Sequence, residues 1–484
     1  MKSDPQPDVA VGGDEENTLY YQLADKIRRL IQSGAFEPGE KLPSIRRLSE
    51  EHRVSLNTAK SALALLEDWR TIEVRPQSGH YVRRPAEELP KLSSTKPNGE
   101  ACVIQTNIPT RMNAAIGSGA EPTLGAAVQS TQLMPLAVLN KSYQKVMRDL
   151  PDACFGYDGV PGHEALRKSI AKRGTEAGYV VSPDDIVITS GAKEAVYLSI
   201  KCVAPPGSIV AIESPAYYAL LEVLQSLGLK AVEVACDPET GIQLDHLDHV
   251  LGKYDISACT IVSNFSNPTG SLMPEENKKR LVEILNRYQV PLVEDDVYGD
   301  LSFRSPRPRA IKAYDTQGRV LYCGSFSKTL SPGLRLGWCI PGRYLQQFQL
   351  MKLVVNQCTS VAPQLVAAEI LETGAYDRHL RKVRSQFAEQ MDDALRAVRN
   401  CFPDGVRASR PLGGHVLWIE MPRHVDAMQM YHTLSEEGIQ FAPGPIFSPS
   451  GAFKNFIRIN TGFPWSPFLH RQVERMGQYI RTGK

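Results

Sequence analysis

A lysine acts as a nucleophile only when its surroundings lower its proton affinity and bring a carbonyl to it. The stretch Gly324-Ser325-Phe326-Ser327-Lys328-Thr329-Leu330-Ser331-Pro332-Gly333-Leu334-Arg335-Leu336-Gly337-Trp338 sets Lys328 beside two hydroxyls, Ser325 and Ser327, with Arg335 seven residues on. Hydroxyls and a guanidinium suit a phosphorylated ligand, and the amine suits a nucleophile. A lone lysine is an ordinary solvated side chain, so the weight rests on three companion segments. Ser190-Gly191-Ala192-Lys193-Glu194 follows a β-rich run and opens a helix, where free backbone N–H groups and the helix dipole favour a phosphate. Asn264-Phe265-Ser266-Asn267-Pro268-Thr269-Gly270 puts the amide of Asn267 before a proline-fixed turn, able to donate to an oxyanion. Glu294-Asp295-Asp296-Val297-Tyr298 gathers three acids at a strand end, which is costly unless a cation or solvent meets them.

These segments need a scaffold that brings strand ends together. Short β-rich runs (186–189, 208–212, 260–263, 291–294 and 320–323) alternate with amphipathic helical stretches such as 193–202 and 274–288. Alternation of this kind predicts a mainly parallel sheet covered by helices on both faces, and ligands of such sheets collect past the carboxyl ends of the strands. Residues 85–109 begin with a Pro-, Ser-, Lys- and Glu-rich stretch lacking hydrophobic periodicity and are expected to be a linker. Before it, Leu19, Leu23, Ile27, Leu30 and Ile31 lie on one helical face. Pro43-Ser44 opens a short second helix, and Ser55 caps a third that carries Ala59, Ala62, Leu63 and Leu66. Residues 72–75 and 80–83 then flank the turn Pro76-Gln77-Ser78-Gly79 as a hairpin. Helix, helix-turn-helix and hairpin make a winged helix over 18–84, preceded by a polar tail, 1–17, expected to be flexible.

The whole-chain composition agrees with a multidomain globular protein. At 484 residues, 42% hydrophobic and 22% charged, the chain is neither a miniprotein nor fibrous nor wholly disordered. It shows no apolar stretch of membrane-spanning length and no secretory leader at its start, so a cytoplasmic location is expected. Nine cysteines without a C-x-x-C pair read as reduced thiols and not as a metal site, so no metal is expected. Net charge is +2 overall, yet residues 18–84 hold twelve Lys and Arg against eight Asp and Glu. That local excess suits a polyanion partner.

The pattern S-F-S-K-T-x-x-P-G-x-R-x-G-W, with the segments above, resembles the fold-type I pyridoxal phosphate (PLP) aminotransferases over roughly residues 110–480. The resemblance implies that Lys328 forms the imine with PLP. Ser325, Ser327 and Arg335 then hold the phosphate, with the Gly191-Ala192-Lys193 helix start beside it. Asp295 pairs with the pyridine nitrogen, Asn267 and Tyr298 bond the ring hydroxyl, and Tyr217 of Glu213-Ser214-Pro215-Ala216-Tyr217 stacks on the ring. Tyr157 resembles the tyrosine that reaches the phosphate of a neighbouring subunit, which implies a homodimer. Arg458, in Phe456-Ile457-Arg458-Ile459-Asn460, resembles the arginine that grips a substrate α-carboxylate. Glu194 stands where many relatives carry an amide, and its charge is tolerable there only if it turns away. The expected fold is α/β, a mainly parallel sheet with a smaller C-terminal α+β subdomain, over 110–484.

In the N-terminal part, G-x-F-x-x-G-x-K-L-P-S-x-R-x-L-S, V-S-x-N-T and Q-S-G-H-Y-V resemble the GntR winged-helix domain. The resemblance implies DNA contacts from Ser44, Arg46, Ser55, Asn57, Thr58, Ser78 and Gly79. Arg47 and Lys60 are added by position, one near the DNA backbone and one on the recognition helix. Where that family often has a glycine between third helix and wing, this chain has Trp69-Arg70.

A GntR winged helix joined to an aminotransferase-like domain is the layout that the MocR regulators resemble. The expectation is a PLP-dependent transcriptional regulator that binds double-stranded operator DNA and senses PLP, or an amino-acid or amine effector. Two other readings stay open: a working aminotransferase on a DNA tether, since Lys328, Asp295, Tyr298 and Arg458 are all retained, and a sensor of PLP alone.

Overall fold

The computed structural model describes residues 18–75, 78–83, 89–97, 99–104 and 122–483. The expected tail, the Pro76-Gln77 half of the hairpin turn, residue 84 at the end of the expected winged helix, residues 85–88, 98 and 105–109 of the expected linker, and residues 110–121 lie outside them. The chain divides after residue 88 into two units.

The small unit contains α1 (Leu19–Gln32), α2 (Ile45–His52), α3 (Leu56–Asp68), β1 (Ile72–Arg75) and β2 (Gly79–Val82). Leu23, Ala24 and Ile27 of α1 are buried together with Leu48, Ala59, Ala62, Leu63, Leu66, Ile72 and Val82. Ser44 and Ser55 cap α2 and α3, their hydroxyl oxygens accepting from the N–H of Arg47 at 3.3 Å and of Thr58 at 3.0 Å. Such caps set where each helix starts and so fix the turn between them. The hairpin is antiparallel, with Ile72 opposite Val82 and Arg75 opposite Gly79. Between α3 and β1, Arg70 takes φ +56°, the left-handed conformation for which a glycine is the usual choice. Trp69 beside it packs edge-on to Tyr21, with the Arg28 guanidinium over its ring.

The large unit is built on a nine-stranded sheet. Its strands are β3 (Ala101–Val103), β4 (Val187–Thr189), β5 (Ile209–Ser214), β6 (Lys230–Asp237), β7 (Gly241–Ile242), β8 (Ile256–Ile261), β9 (Leu292–Asp295), β10 (Val320–Ser325) and β11 (Gly337–Ile340). The order is β3-β6-β5-β8-β9-β10-β11-β4, with β7 on β6. β4, β5, β6, β8, β9 and β10 run one way, while β3, β7 and β11 oppose them. The sheet is therefore mixed and mostly parallel, and its strands read as nearly continuous apolar runs because they are buried. A second, antiparallel sheet near the C-terminus has the order β12-β13-β15-β14. Its strands are β12 (Arg407–Ala408), β13 (Val416–Glu420), β14 (Ala442–Pro443) and β15 (Phe456–Asn460).

The expected linker ends earlier than its composition suggests. Leu89 and Leu92 pack on the large unit's core, and the Thr95 hydroxyl donates to the Ser214 carbonyl at 2.8 Å. Ala101–Val103 pairs with β6 at the sheet edge. An edge strand needs only backbone partners, and three residues are too few to show a periodicity. All nine cysteines are free. Among the described residues no helix is long and apolar enough to cross a membrane.

Candidate functional site

The parallel strands deliver the four segments to one place. At the end of β9 the three consecutive acids go three ways. Glu294 accepts from the Ser263 hydroxyl at 2.9 Å and from the N–H groups of Ile311 and Lys312 at 2.7 and 2.9 Å. Asp296 accepts from the Asn264 amide at 2.8 Å, the Tyr322 hydroxyl at 2.9 Å and the Arg307 guanidinium at 2.5 Å. Asp295 faces a cavity of about 290 Å³, and among the described residues its Oδ1 is buried without a hydrogen-bond partner. Burial, then the charge of Asp296, pushes its carboxyl up to about 7, against the pull of Lys328.

The same cavity is lined by Ala192, Lys193, Tyr217, Asn267, Tyr298, Ser325, Ser327, Lys328 and Arg335. At one end Gly191 caps the helix Ala192–Val203 with φ +93°, and a Cβ there would stand 2.7 Å from Arg335 Nη2. Arg335 donates to the Ser190 carbonyl at 3.0 Å. The Ser325 hydroxyl donates to the Leu336 carbonyl at 2.9 Å, and its Oγ lies 3.0 Å from Ser327 Oγ. Helix N–H groups, two hydroxyls and a guanidinium at one end of the cavity are donors that could hold a dianionic group. Glu194 does turn away: it accepts from the Ser190 N–H and from the Asn356 amide at 2.5 Å, and lies 3.9 Å from Lys352 Nζ.

At the other end, burial and then the Arg458 and Arg335 charges lower the Lys328 amine to about 8, although Asp295 opposes this. Lys328 Nζ donates to the Ala127 carbonyl at 2.5 Å. Arg458, on β15, is completely buried, with Nη1 3.4 Å from Asn267 Oδ1 and the guanidinium 5.6 Å from the Phe447 ring centroid. Its Nη2 donates to the Gly125 carbonyl, and its Nε has no partner among the described residues. Tyr157 is 86% exposed and does not line this cavity.

Sequence reading missed three participants. Glu213 lines the cavity from β5, pushed up to about 8 by burial although the Val262 N–H donates to it at 2.9 Å. An acid closing an otherwise apolar strand was the available signal. His415 is buried and lowered to about 3 by burial and then by the Lys328 charge, with its ring 5.5 Å from that of Tyr298. The segment carrying Gly125 and Ala127 showed no motif, because it contributes backbone carbonyls.

In the small unit Ser44, Arg46, Arg47, Ser55, Asn57, Lys60 and Ser78 are exposed, and Thr58 and Gly79 are half-buried. Arg47 is held by Glu51 at 2.7 Å. Ser44 and Ser55 act first as helix caps, and Ser78 Oγ lies 2.6 Å from the Tyr81 hydroxyl. Lys41 and Arg75, which sequence reading passed over, flank the Tyr81 ring with their cationic groups 5.9 and 4.2 Å from its centroid. Arg75 is also paired with Glu73 of the same strand at 2.8 Å.

Comparison with known proteins matches both units. Residues 129–464 match the aminotransferase class I and II family, and residues 19–82 match the bacterial regulatory proteins of the gntR family. Two Escherichia coli proteins, the uncharacterized HTH-type transcriptional regulators YjiR and YdcR, are 36% and 37% identical to it, each across 96% of this chain and 99% of its own length. Among solved structures, Pyrococcus horikoshii kynurenine aminotransferase, in complex with PMP, superposes with a TM-score of 0.72 at 27% identity, covering 78% of this chain and 95% of that one. LysN, the α-aminoadipate aminotransferase of Thermus thermophilus, complexed with N-(5'-phosphopyridoxyl)-L-leucine, also gives 0.72 at 27% identity, covering 77% and 95%.

Proposed function

Because the chain belongs to the HTH-type transcriptional regulators that join a gntR-family domain to an aminotransferase class I and II domain, we propose that its large unit holds PLP and reads an amino-acid or amine effector, while its small unit grips operator DNA. One observation carries the cofactor: a buried carboxylate oxygen of Asp295 without a partner among the described residues, in a cavity that also presents a primary amine, two hydroxyls and a guanidinium. When bound, PLP supplies a cationic ring that withdraws electrons and an aldehyde that an amine can capture.

Asp295 holds the proton on the ring nitrogen, since a carboxylate beside it favours the charged form. Ser325, Ser327, Arg335 and the N–H groups at Gly191, Ala192 and Lys193 hold the phosphate. Asn267 and Tyr298 bond the ring hydroxyl, and Tyr217 covers the ring. Lys328, with its amine lowered to about 8, keeps an unprotonated fraction near neutrality and supplies the covalent link. Arg458 binds an effector carboxylate. Tyr157 serves the site of a second copy in a homodimer, which agrees with its exposure here. Ser44, Arg46, Arg47, Ser55, Asn57, Thr58, Lys60, Ser78 and Gly79 form the DNA face, and such a protein acts in the cytoplasm. The full-length relatives are regulators, so a working aminotransferase is not the favoured reading.

The test is a PLP titration of the purified full chain followed by DNA binding to fragments flanking its gene. A visible absorbance band that Lys328→Ala abolishes, with DNA retention that an amino acid or amine alters, is the expected result. A colourless protein at saturating PLP sinks the cofactor reading, and equal retention of every fragment sinks the regulatory one.

A further inference from the structure

The backbone from Thr123 to Val128 reaches both cations of the site. Its Gly125 carbonyl accepts from Arg458 Nη2 and its Ala127 carbonyl from Lys328 Nζ. Both are neutral oxygens on groups whose assigned partners lie elsewhere: a ligand carboxylate for Arg458 and an aldehyde carbon for Lys328. The segment is therefore seated where ligand is expected.

What seats it is Asn460, two residues beyond Arg458 on β15. Its side-chain Nδ2 donates to the carbonyls of Thr123 at 3.2 Å and Val128 at 2.9 Å, and its backbone N–H to that of Leu124 at 2.8 Å. With Nδ2 committed to two carbonyls, Oδ1 is the accepting atom, and it takes the Gly462 N–H at 3.0 Å and His415 Nδ1 at 2.9 Å. His415 must then carry its proton on Nδ1. The buried, uncharged imidazole thus fixes which way the Asn460 amide points, and the amide fixes the segment.

The arrangement is incomplete in a way that points to a ligand. Among the described residues Arg458 Nε is buried without a partner, and so are both polar atoms of the Gln129 side chain, next along the same segment. Any two-point carboxylate grip on a guanidinium uses Nη2 with Nε or Nη1. Here Nη1 faces Asn267 and one of the two Nη2 N–H groups is on Gly125, so a bidentate carboxylate must share Nη2 with the Gly125 carbonyl, oxygen against oxygen.

We propose that Asn460 is a positioning residue that holds residues 123–128 in the site as an internal stand-in for ligand, and that an α-carboxylate expels this segment from Arg458 whereas a simple amine leaves it seated. The inference rests on reading the cavity as a PLP and carboxylate site, and it separates amino acids from amines as effectors.

The experiment uses the PLP-free full chain and two stable probes, N-(5'-phosphopyridoxyl)-L-leucine and the same adduct of 3-methylbutylamine, which lacks only the carboxylate. Hydrogen exchange of peptides covering 122–130 should quicken about tenfold with the leucine adduct and stay unchanged with the amine adduct. In Asn460→Ala, which loses two side-chain hydrogen bonds to the segment, the leucine adduct should bind roughly tenfold tighter than in the wild type, and the amine adduct equally well. Equal exchange with both adducts, or slower exchange with the leucine adduct, overturns the proposal while leaving the cavity's reading intact. Failure of either adduct to bind overturns both. If Asn460→Ala does not fold, the wild-type exchange decides alone.

Discussion

Asp295 and Asp296 are neighbours at the end of β9, and the fold treats them oppositely. Asp296 is gripped by Asn264, Tyr322 and Arg307, while Asp295 Oδ1 is buried with no hydrogen-bond partner among the described residues and faces the cavity. A buried carboxylate oxygen without a partner is costly and is retained where a ligand supplies the missing group. The paired acid also anchors the strand end: Arg307 bonds Asp300 at 2.6 Å as well as Asp296, and Asp300 accepts from the Tyr376 hydroxyl at 3.0 Å. This brace fixes the backbone from which Asp295 projects.

Asp295→Asn has two expected effects. Its folded carboxyl sits at about 7, above the ordinary 3.8, so between those values the folded state binds more protons than the unfolded and stability falls as pH rises. In the cofactor-free protein the variant should flatten that fall by up to about 1.4 kcal/mol per pH unit, read from urea unfolding between pH 4 and 7. With PLP present it should bind the cofactor roughly tenfold more weakly, since a charge-assisted bond contributes about 1.5–3 kcal/mol. Unchanged affinity argues against the pairing.

Lys328 should capture PLP faster as pH rises, with a midpoint near the value of about 8 set chiefly by burial and then by Arg458. Removing that neighbouring charge in Arg458→Met should move the midpoint upward. Stopped-flow absorbance across pH 6–10 measures both, and a wild-type midpoint at an ordinary lysine value contradicts the assignment.

Gly191→Ala places a methyl 2.7 Å from Arg335 Nη2 at a backbone φ of +93°. Strain of about 1–3 kcal/mol is expected from the backbone alone, and displacement of Arg335 should lower PLP affinity by roughly tenfold or more. Equilibrium dialysis against PLP tests this. Binding equal to wild type means that the helix start and Arg335 are not the phosphate cradle.

Arg46→Ala should weaken DNA binding and reduce its salt slope by about one, leaving the PLP absorbance intact. Arg47→Ala should cost less, because Arg47 already bonds Glu51 at 2.7 Å. Fluorescence anisotropy at several salt concentrations compares them, and an unaltered slope for Arg46→Ala removes it from the phosphate contacts.

Sequence alone determined the parts whose signal is local. The caps at Ser44 and Ser55, the hairpin, the apolar strand runs and the spacing of Ser325, Ser327, Lys328 and Arg335 depend on neighbours a few residues apart, so the winged helix, the mostly parallel sheet and the amine-bearing loop were legible in it. Only the tertiary structure decided which of three consecutive acids meets the cavity, because their partners come from Ser263, Asn264, Arg307 and Tyr322, on other elements. It likewise turned Glu194 toward Asn356, took residues 101–103 from the expected linker into an edge strand, and set His415 on Asn460. Spacing along a chain reports which side chains share an element. Whether a buried polar atom is satisfied depends on packing between elements far apart in sequence, and in this protein that distinction separates Asp295 from Asp296.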